Sequence, residues 1–121
     1  MNLTENSFVD FSLVMPAYNE EENIGPLVER IEKMMSDIPG VYEIIIVNNG
    51  SNDSTPLVLN KLLKTHPNLI ALTLTRNFGY DGAIIAGLEI SQGRKVIIMD
   101  GDQQDPPEVI PEFISKSEER S

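Results

Sequence analysis

Apolar residues fall along this chain in two alternating rhythms. Short runs rich in β-branched residues occupy positions 11–15 (FSLVM), 42–47 (YEIIIV), 69–74 (LIALTL) and 96–99 (VIIM). They are too short for helices, are bounded by turn residues, and read as buried strands. Between them the apolar positions shift to helical spacing. Ile24, Leu27, Val28, Ile31 and Met34 or Met35 mark a first helix. It starts near Asn23, because Pro26 has no N–H to give and suits a first turn. Asn23 is the expected cap, and Asn19 with Glu22 also has the form of a capping box. Pro56 opens a second helix with Leu59, Leu62 and Leu63 on one face, ending around His66 and Pro67. A third covers residues 83–91, where Ala83, Ala86 and Gly87 permit close approach to a sheet and Gly93 is placed to stop the helix. Pro106 and Pro107 introduce a last helix over residues 108–119.

Strands alternating with helices predict the α/β class, a Rossmann-like open and mainly parallel sheet with helices on both faces. A length of 121 residues is enough for one such unit, residues 1–121, and no more. In open sheets of this kind ligands bind outside the carboxyl ends of the strands. The unusual chemistry of the chain lies at those ends, in residues 16–20, 48–53, 76–79 and 100–105.

Composition narrows the choice. A formal net charge of −10 argues against nucleic acid as a partner, and against adhesion of this part of the chain to an anionic membrane surface. With no Cys, thiolate metal sites and disulfides are excluded. The single His66 rules out multi-histidine sites and reads as a solvated residue near the negative end of the second helix. The first ten residues lack the basic and apolar segments of a signal peptide, and no apolar run is long enough to span a bilayer. A cytoplasmic location is the default expectation.

The densest chemistry is VIIMDGDQQDPPE, residues 96–108. Asp100 and Asp102 leave a strand end two residues apart, Asp105 follows, and Gly101 leaves room for close approach to the backbone. Carboxylates at that spacing suit a divalent cation with oxygen ligands, and such a cation can clamp a diphosphate. Neither a G-x-G-x-x-G fingerprint nor a Walker A loop is present to cradle phosphates, so a metal is the natural substitute. Arg76 is either a second cation for the phosphates or a salt-bridge partner at a strand end. Tyr18 offers a surface for a ribose or base. Asn48 and Asn49 either meet a base edge or simply form the turn.

Four segments together resemble a known family. Residues 15–24 (MPAYNEEENI) resemble the P-x-Y-N-E-E-x-N-I opening of family 2 glycosyltransferases with a GT-A fold. NNGSNDST at 48–55 is similar to their D-D-G-S-x-D-x-T loop. RNFG at 76–79 and MDGDQQDPPE at 99–108 resemble the R-N-F-G and D-x-D-L-Q-D-P-P-E segments of the polyprenyl-phosphate branch, which includes dolichol-phosphate mannosyltransferase and bacterial relatives. The resemblance implies an enzyme that moves a sugar, with inversion, from a nucleotide diphosphate sugar (UDP- or GDP-linked) to a polyprenyl phosphate or a glycan. It implies that Asp100 and Asp102 are the catalytic pair and that Asp100, Asp102 and Gln104 hold Mg²⁺ or Mn²⁺ and the diphosphate. Pro16, Tyr18, Glu20, Asn48, Arg76, Asp100 and Gly101 would border the nucleotide, with Asn48 in the place of the family's base-contacting Asp.

Two departures accompany the match. The family's Asp-Asp is Asn48-Asn49 here, so a base contact loses its charge. The chain also ends soon after the metal motif. The resemblance therefore implies the N-terminal, donor-binding part of a GT-A domain, with the acceptor half, any catalytic base and any membrane helices beyond Ser121. Membrane association would come only through those regions, placing a longer protein at the cytoplasmic face of the membrane, and uncovered apolar surface would favour self-association. Two alternatives stay open. A non-catalytic nucleotide-sugar-binding module accords with Asn48-Asn49. An aspartate-phosphorylating hydrolase of the D-x-D type is opposed by the late position of the acid pair and by Gln104 where such enzymes carry Thr.

Overall fold

The structure is a computed structural model and describes residues 8–99. Four strands, β1 (Phe11–Ala17), β2 (Tyr42–Asn48), β3 (Leu69–Thr73) and β4 (Lys95–Ile98), alternate with α1 (Ile24–Met35), α2 (Thr55–Thr65) and α3 (Gly79–Ile90). The strands form one parallel sheet in the order β3-β2-β1-β4. This is the open α/β architecture that the alternation of periods predicts.

The two central strands are buried on both faces, which is why they read as continuous apolar runs and not as alternating ones. On one face Leu13, Met15, Ile44 and Ile46 pack with Ile24, Leu27, Val28 and Ile31 of α1 and with Leu59 of α2. On the other, Val14, Ile45 and Val47 pack with Ala83 and Ile84 of α3. Gly87 brings α3 onto that second face: a Cβ there would stand 2.5 Å from Val14 Cγ1 and 3.1 Å from Val47 Cγ2. Helices therefore cover both sides of the sheet.

Several boundaries differ from the sequence expectation, each for a local reason. α3 begins at Gly79 rather than at residue 83, because Asn77 Oδ1 accepts the Gly79 N–H at 2.7 Å and starts the helix inside the polar run. Asn23 does precede α1, but its side chain caps nothing; its Nδ2 donates to Glu20 Oε2 at 2.8 Å. β4 starts one residue early, at Lys95, while the Met99 N–H still bonds to Val14 O at 2.8 Å. Gly93 does not act through a left-handed turn. α3 ends into an extended Ser91, and Gly93 is needed for space, since a Cβ would lie 2.5 Å from Ser12 N. His66 is not simply solvated. It closes α2, and its Nδ1 stands 3.2 Å from Glu32 Oε1 of α1, both side chains being largely covered. Burial, together with the same Glu32 carboxylate, pushes the Tyr42 phenol up, against a side-chain hydrogen bond with Asn68 that lowers it. The helix expected over residues 108–119 lies outside the described residues.

A buried polar clamp joins the α3–β4 connection to the sheet centre. Ser12 and Glu43 face each other across β1 and β2 and are 0% and 6% exposed. Ser12 Oγ donates to Glu43 Oε2. The Gln92 N–H donates to the same carboxylate oxygen at 2.8 Å, and the Gly93 N–H donates to Ser12 Oγ at 2.8 Å. Replacing Glu43 by Leu leaves the hydroxyl and the Gln92 N–H without their acceptor. We expect Glu43→Leu to lose about 2–3 kcal/mol in denaturant unfolding at neutral pH. Glu43→Gln keeps an acceptor oxygen and should lose clearly less.

Candidate functional site

From β1 the chain builds outward through β2 to β3, and then α3 carries it back to place β4 on the far side of β1. The strand order reverses between β1 and β4, and ligands of open α/β sheets bind outside the carboxyl ends at such a reversal. A cleft of about 240 Å³ opens at the carboxyl ends of β1 and β2, lined by Pro16, Ala17, Tyr18, Glu20, Asn49, Asn77 and Tyr80. A larger hollow of about 330 Å³, lined by Asp10, Phe11, Pro39, Gly40, Arg94 and Lys95, lies at the opposite ends of the strands. It is away from every polar loop, so the smaller cleft is the candidate site.

The walls of the cleft are loops that hold one another. After β1, the Asn19 N–H bonds to Ser51 Oγ at 3.0 Å, and Asn19 Oδ1 accepts the Asn52 N–H at 2.9 Å. The Glu20 N–H reaches Thr55 Oγ1 at 3.1 Å and the Glu21 N–H reaches Asp53 Oδ2 at 3.4 Å. Asn19 sits at φ 53, in the left-handed region that Asn tolerates better than most residues. After β2, Asn48 Oδ1 accepts the Ser51 N–H at 3.1 Å and shapes the turn. Gly50, at φ +74, lies directly on the third loop: a Cβ would stand 2.4 Å from the Arg76 carbonyl carbon and 2.5 Å from Asn77 N. No other residue type fits there without moving the loop after β3.

The expected site residues are distributed as follows. Pro16, Tyr18 and Glu20 line the cleft. Asn48 does not: it is 1% exposed and supports the turn from beneath, and the amide that faces the cleft belongs to Asn49. Arg76 is not among the residues that line the cleft; its guanidinium carbon stands 4.0 Å from the centroid of the Phe78 ring, a cation–π contact. Asp100, Gly101, Asp102 and Gln104 lie outside the described residues. Met99, the last described residue, follows β4 and is bonded to Val14. Among the described residues no group of three His, Cys, Asp or Glu side chains could hold a metal ion. Sequence reasoning missed Asn77 and Tyr80 as cleft residues. The R-N-F-G resemblance pointed at Asn77; Tyr80 becomes visible only once α3 is seen to start at Gly79.

An open parallel sheet, covered on both faces and carrying a polar cleft at the carboxyl ends of its central strands, defines a Rossmann-like α/β protein. Residues 12–121 match the family described as Glycosyl transferase family 2, and the chain belongs to it. It is 39% identical over 113 residues to dodecaprenyl-phosphate galacturonate synthase of Rhizobium johnstonii, covering 93% of this chain and 33% of that protein. It is 40% identical over 109 residues to undecaprenyl-phosphate 4-deoxy-4-formamido-L-arabinose transferase of Proteus mirabilis, covering 89% and 33%. The chain thus spans about a third of the length of these curated relatives. Among solved structures, it is similar to the mannosyltransferase PcManGT from Pyrobaculum calidifontis in complex with GDP-Man and Mn²⁺. That match has TM-score 0.70 and 28% identity, over 76% of this chain and 27% of the other. It is also similar to residues 1–349 of S. aureus TarS in complex with UDP-GlcNAc, with TM-score 0.74 and 25% identity over 92% and 32%.

Asp53 offers a test of the loop network. Partial desolvation pushes its carboxyl up. Hydrogen bonds from the Thr55 side chain, the Thr55 backbone and the Glu21 backbone outweigh it and hold the group below its ordinary value of 3.8. A carboxylate depressed on folding stabilises the folded state above its unfolded pKa, and that stabilisation disappears as pH falls through the folded value. We expect the difference in melting temperature between the wild type and Asp53→Asn to be constant near neutrality. It should shrink on acidification below about pH 4.

Proposed function

We propose that the cleft is the donor site of an inverting glycosyltransferase that takes a nucleotide diphosphate sugar, UDP- or GDP-linked, and passes the sugar to a polyprenyl phosphate. The observation that carries this is the arrangement at the carboxyl edge of the sheet. A polar cleft opens at the carboxyl end of β1, whose neighbour β4 precedes Asp100-Gly101-Asp102 in the chain, and the sequence has no glycine-rich phosphate loop. Family membership supports transfer of a glycosyl group, and the names of the two curated relatives support a lipid phosphate as acceptor.

On this reading Pro16, Tyr18, Glu20 and Asn49 border the nucleoside, and Asn48 holds the turn beneath them. Arg76, steered by Phe78, supplies positive charge at the rim. Asp100, Asp102 and the Gln104 amide form an all-oxygen donor set suited to Mg²⁺ or Mn²⁺. When bound, such an ion would stabilise the negative charge that grows on the departing diphosphate. In the transfer itself the acceptor oxygen forms a bond to the anomeric carbon while the bond to the diphosphate breaks, and its electron pair leaves with the nucleotide. A lipid phosphate is already an anion, so this acceptor needs no general base from the protein.

Calorimetry of UDP and GDP with Mn²⁺, and again with EDTA, tests the reading. Binding with the metal should weaken by about tenfold or more when it is chelated, or in Asp102→Asn. Equal affinity with and without EDTA, or full binding by Asp102→Asn, would overturn the metal-dependent donor site.

A further inference from the structure

Three asparagines stand at the carboxyl ends of β2 and β3, and their hydrogen bonds decide which of them a ligand can reach. Asn48 is buried, and its Oδ1 takes the Ser51 N–H. Asn49 is 5% exposed and engaged at both ends of its amide. Its Oδ1 accepts the Phe78 N–H at 3.0 Å, and its Nδ2 donates to the Gly79 carbonyl at 3.1 Å and to Asn77 Oδ1 at 3.2 Å. Asn77 is exposed and lines the cleft. Its Oδ1 accepts the Gly79 N–H at 2.7 Å as well as Asn49 Nδ2. A backbone donor therefore fixes which end of the Asn77 amide is oxygen. Among the described residues its Nδ2 has no hydrogen-bond partner. Asn77 thus brings an oriented, unengaged NH₂ group to the cleft.

The rest of the lining suits a flat ring. Tyr18 from the first loop and Tyr80 from the first turn of α3 line the same cleft and are 42% and 54% exposed. Such rings offer flat apolar faces on which any base can stack. The volume of about 240 Å³ falls below the range of about 300–1,000 Å³ that encloses a whole drug-sized ligand, so the cleft takes one part of a larger molecule. Glu20, held by Asn23 Nδ2 at 2.8 Å, lines the cleft as well and brings carboxylate oxygens, which accept and do not donate. We propose that Asn77 is the residue that reads the base, its NH₂ donating to the exocyclic carbonyl oxygen of uracil or guanine. That the base belongs to a sugar donor rests on the function proposed above. Uracil O4 and guanine O6 are acceptors, and each has a ring N–H beside it that a carboxylate can take. Cytosine and adenine carry an NH₂ donor at the corresponding place, which would meet the Asn77 NH₂ donor to donor. The cleft therefore selects UDP over CDP and GDP over ADP. Asn48 and Asn49 take no part in this reading, because their amides are spent on the loops.

The test is calorimetric titration of UDP, CDP, GDP and ADP with Mn²⁺ into the wild type, Asn77→Asp and Tyr80→Ala. In the wild type the tighter of UDP and GDP should exceed its amino counterpart by about tenfold. Asn77→Asp keeps an oxygen for the Gly79 N–H and for Asn49 Nδ2, and exchanges only the NH₂ for a second oxygen. Its melting temperature should stay within about 2 °C of wild type, and its preference should collapse to about unity or reverse. The added charge repels every diphosphate alike, so it cancels in the ratio of UDP to CDP or of GDP to ADP. Tyr80→Ala removes a stacking face that does not distinguish bases. It should weaken all four nucleotides by about tenfold and leave the ratios unchanged. Equal wild-type affinity within both pairs, a ratio that survives Asn77→Asp, or a fall of more than about 5 °C in that variant would each overturn the proposal. Repeating the wild-type titrations with EDTA separates the two readings. A base preference that persists in EDTA with undiminished affinity would strike the metal-dependent donor site and leave Asn77 as the reader. Metal-dependent binding without a base preference would do the opposite, and absence of binding by all four nucleotides would overturn both.

Discussion

The cleft depends on one constraint: backbone N–H groups in loops without regular structure are satisfied by side-chain oxygens from neighbouring loops. Buried or half-buried backbone donors must find partners, and a loop cannot supply its own ladder. Here the Asn19 N–H goes to Ser51, the Asn52 N–H to Asn19, the Glu20 N–H to Thr55 and the Phe78 N–H to Asn49. The bonding is reciprocal, so neither of the first two loops has a complete set of partners without the other. The register of β1 and β2 makes this possible. Ala17 lies opposite Asn48, and the Asn49 N–H closes the pairing on Ala17 O at 2.8 Å, so both loops leave the sheet at the same height.

That dependence explains what the sequence disclosed. The strands and the first two helices were legible because burial on one or both faces of a sheet leaves a period in the chain. β1 and β2 show apolar runs interrupted only by Ser12, Glu43 and their last residues, and α1 shows Ile24, Leu27, Val28 and Ile31 at helical spacing. The loops have no period. Residues 75–82 look like a long polar connection, yet part of that run is the start of α3, because a side chain of the run itself meets the Gly79 N–H. His66 misled for a similar reason: its partner Glu32 is on another helix, and nothing in the local sequence announces it. The candidate site divides the same way. Residue types at strand ends marked the rim, and Pro16, Tyr18 and Glu20 do line it. Which of two adjacent asparagines faces the cleft is decided by the direction of the chain at the end of β2. Spacing alone does not carry that information.

Electrostatics bears on what such a rim can hold. The chain carries a net charge of −10, and the loops around the cleft contribute Glu20, Glu21, Glu22 and Asp53. A diphosphate brought there meets like charge, and two unit charges a few ångströms apart at a protein surface repel by about 4 kcal/mol at an effective dielectric of 20. Under the proposed function Arg76 would offset part of this. Its position over Phe78 restricts the guanidinium, which would lower the entropy lost if it met an anion.

The two asparagines act in the same direction as Arg76. The motif that this chain resembles has carboxylates at both positions, and amides there leave the rim two charges less negative. At position 49 the amide accepts the Phe78 N–H and donates to the Gly79 carbonyl, tying the second loop to the third. At position 48 an oxygen alone is enough for the Ser51 N–H, so a carboxylate would serve that bond equally well. Both departures from Asp therefore act on the rim through charge. Under the proposed function, less acidic loops, a pre-placed arginine and a carboxylate pair that follows β4 in the chain would divide the work of holding an anion on an acidic protein. The amides remove repulsion, the arginine adds attraction at the rim, and under the proposed function the carboxylates recruit a cation for the rest.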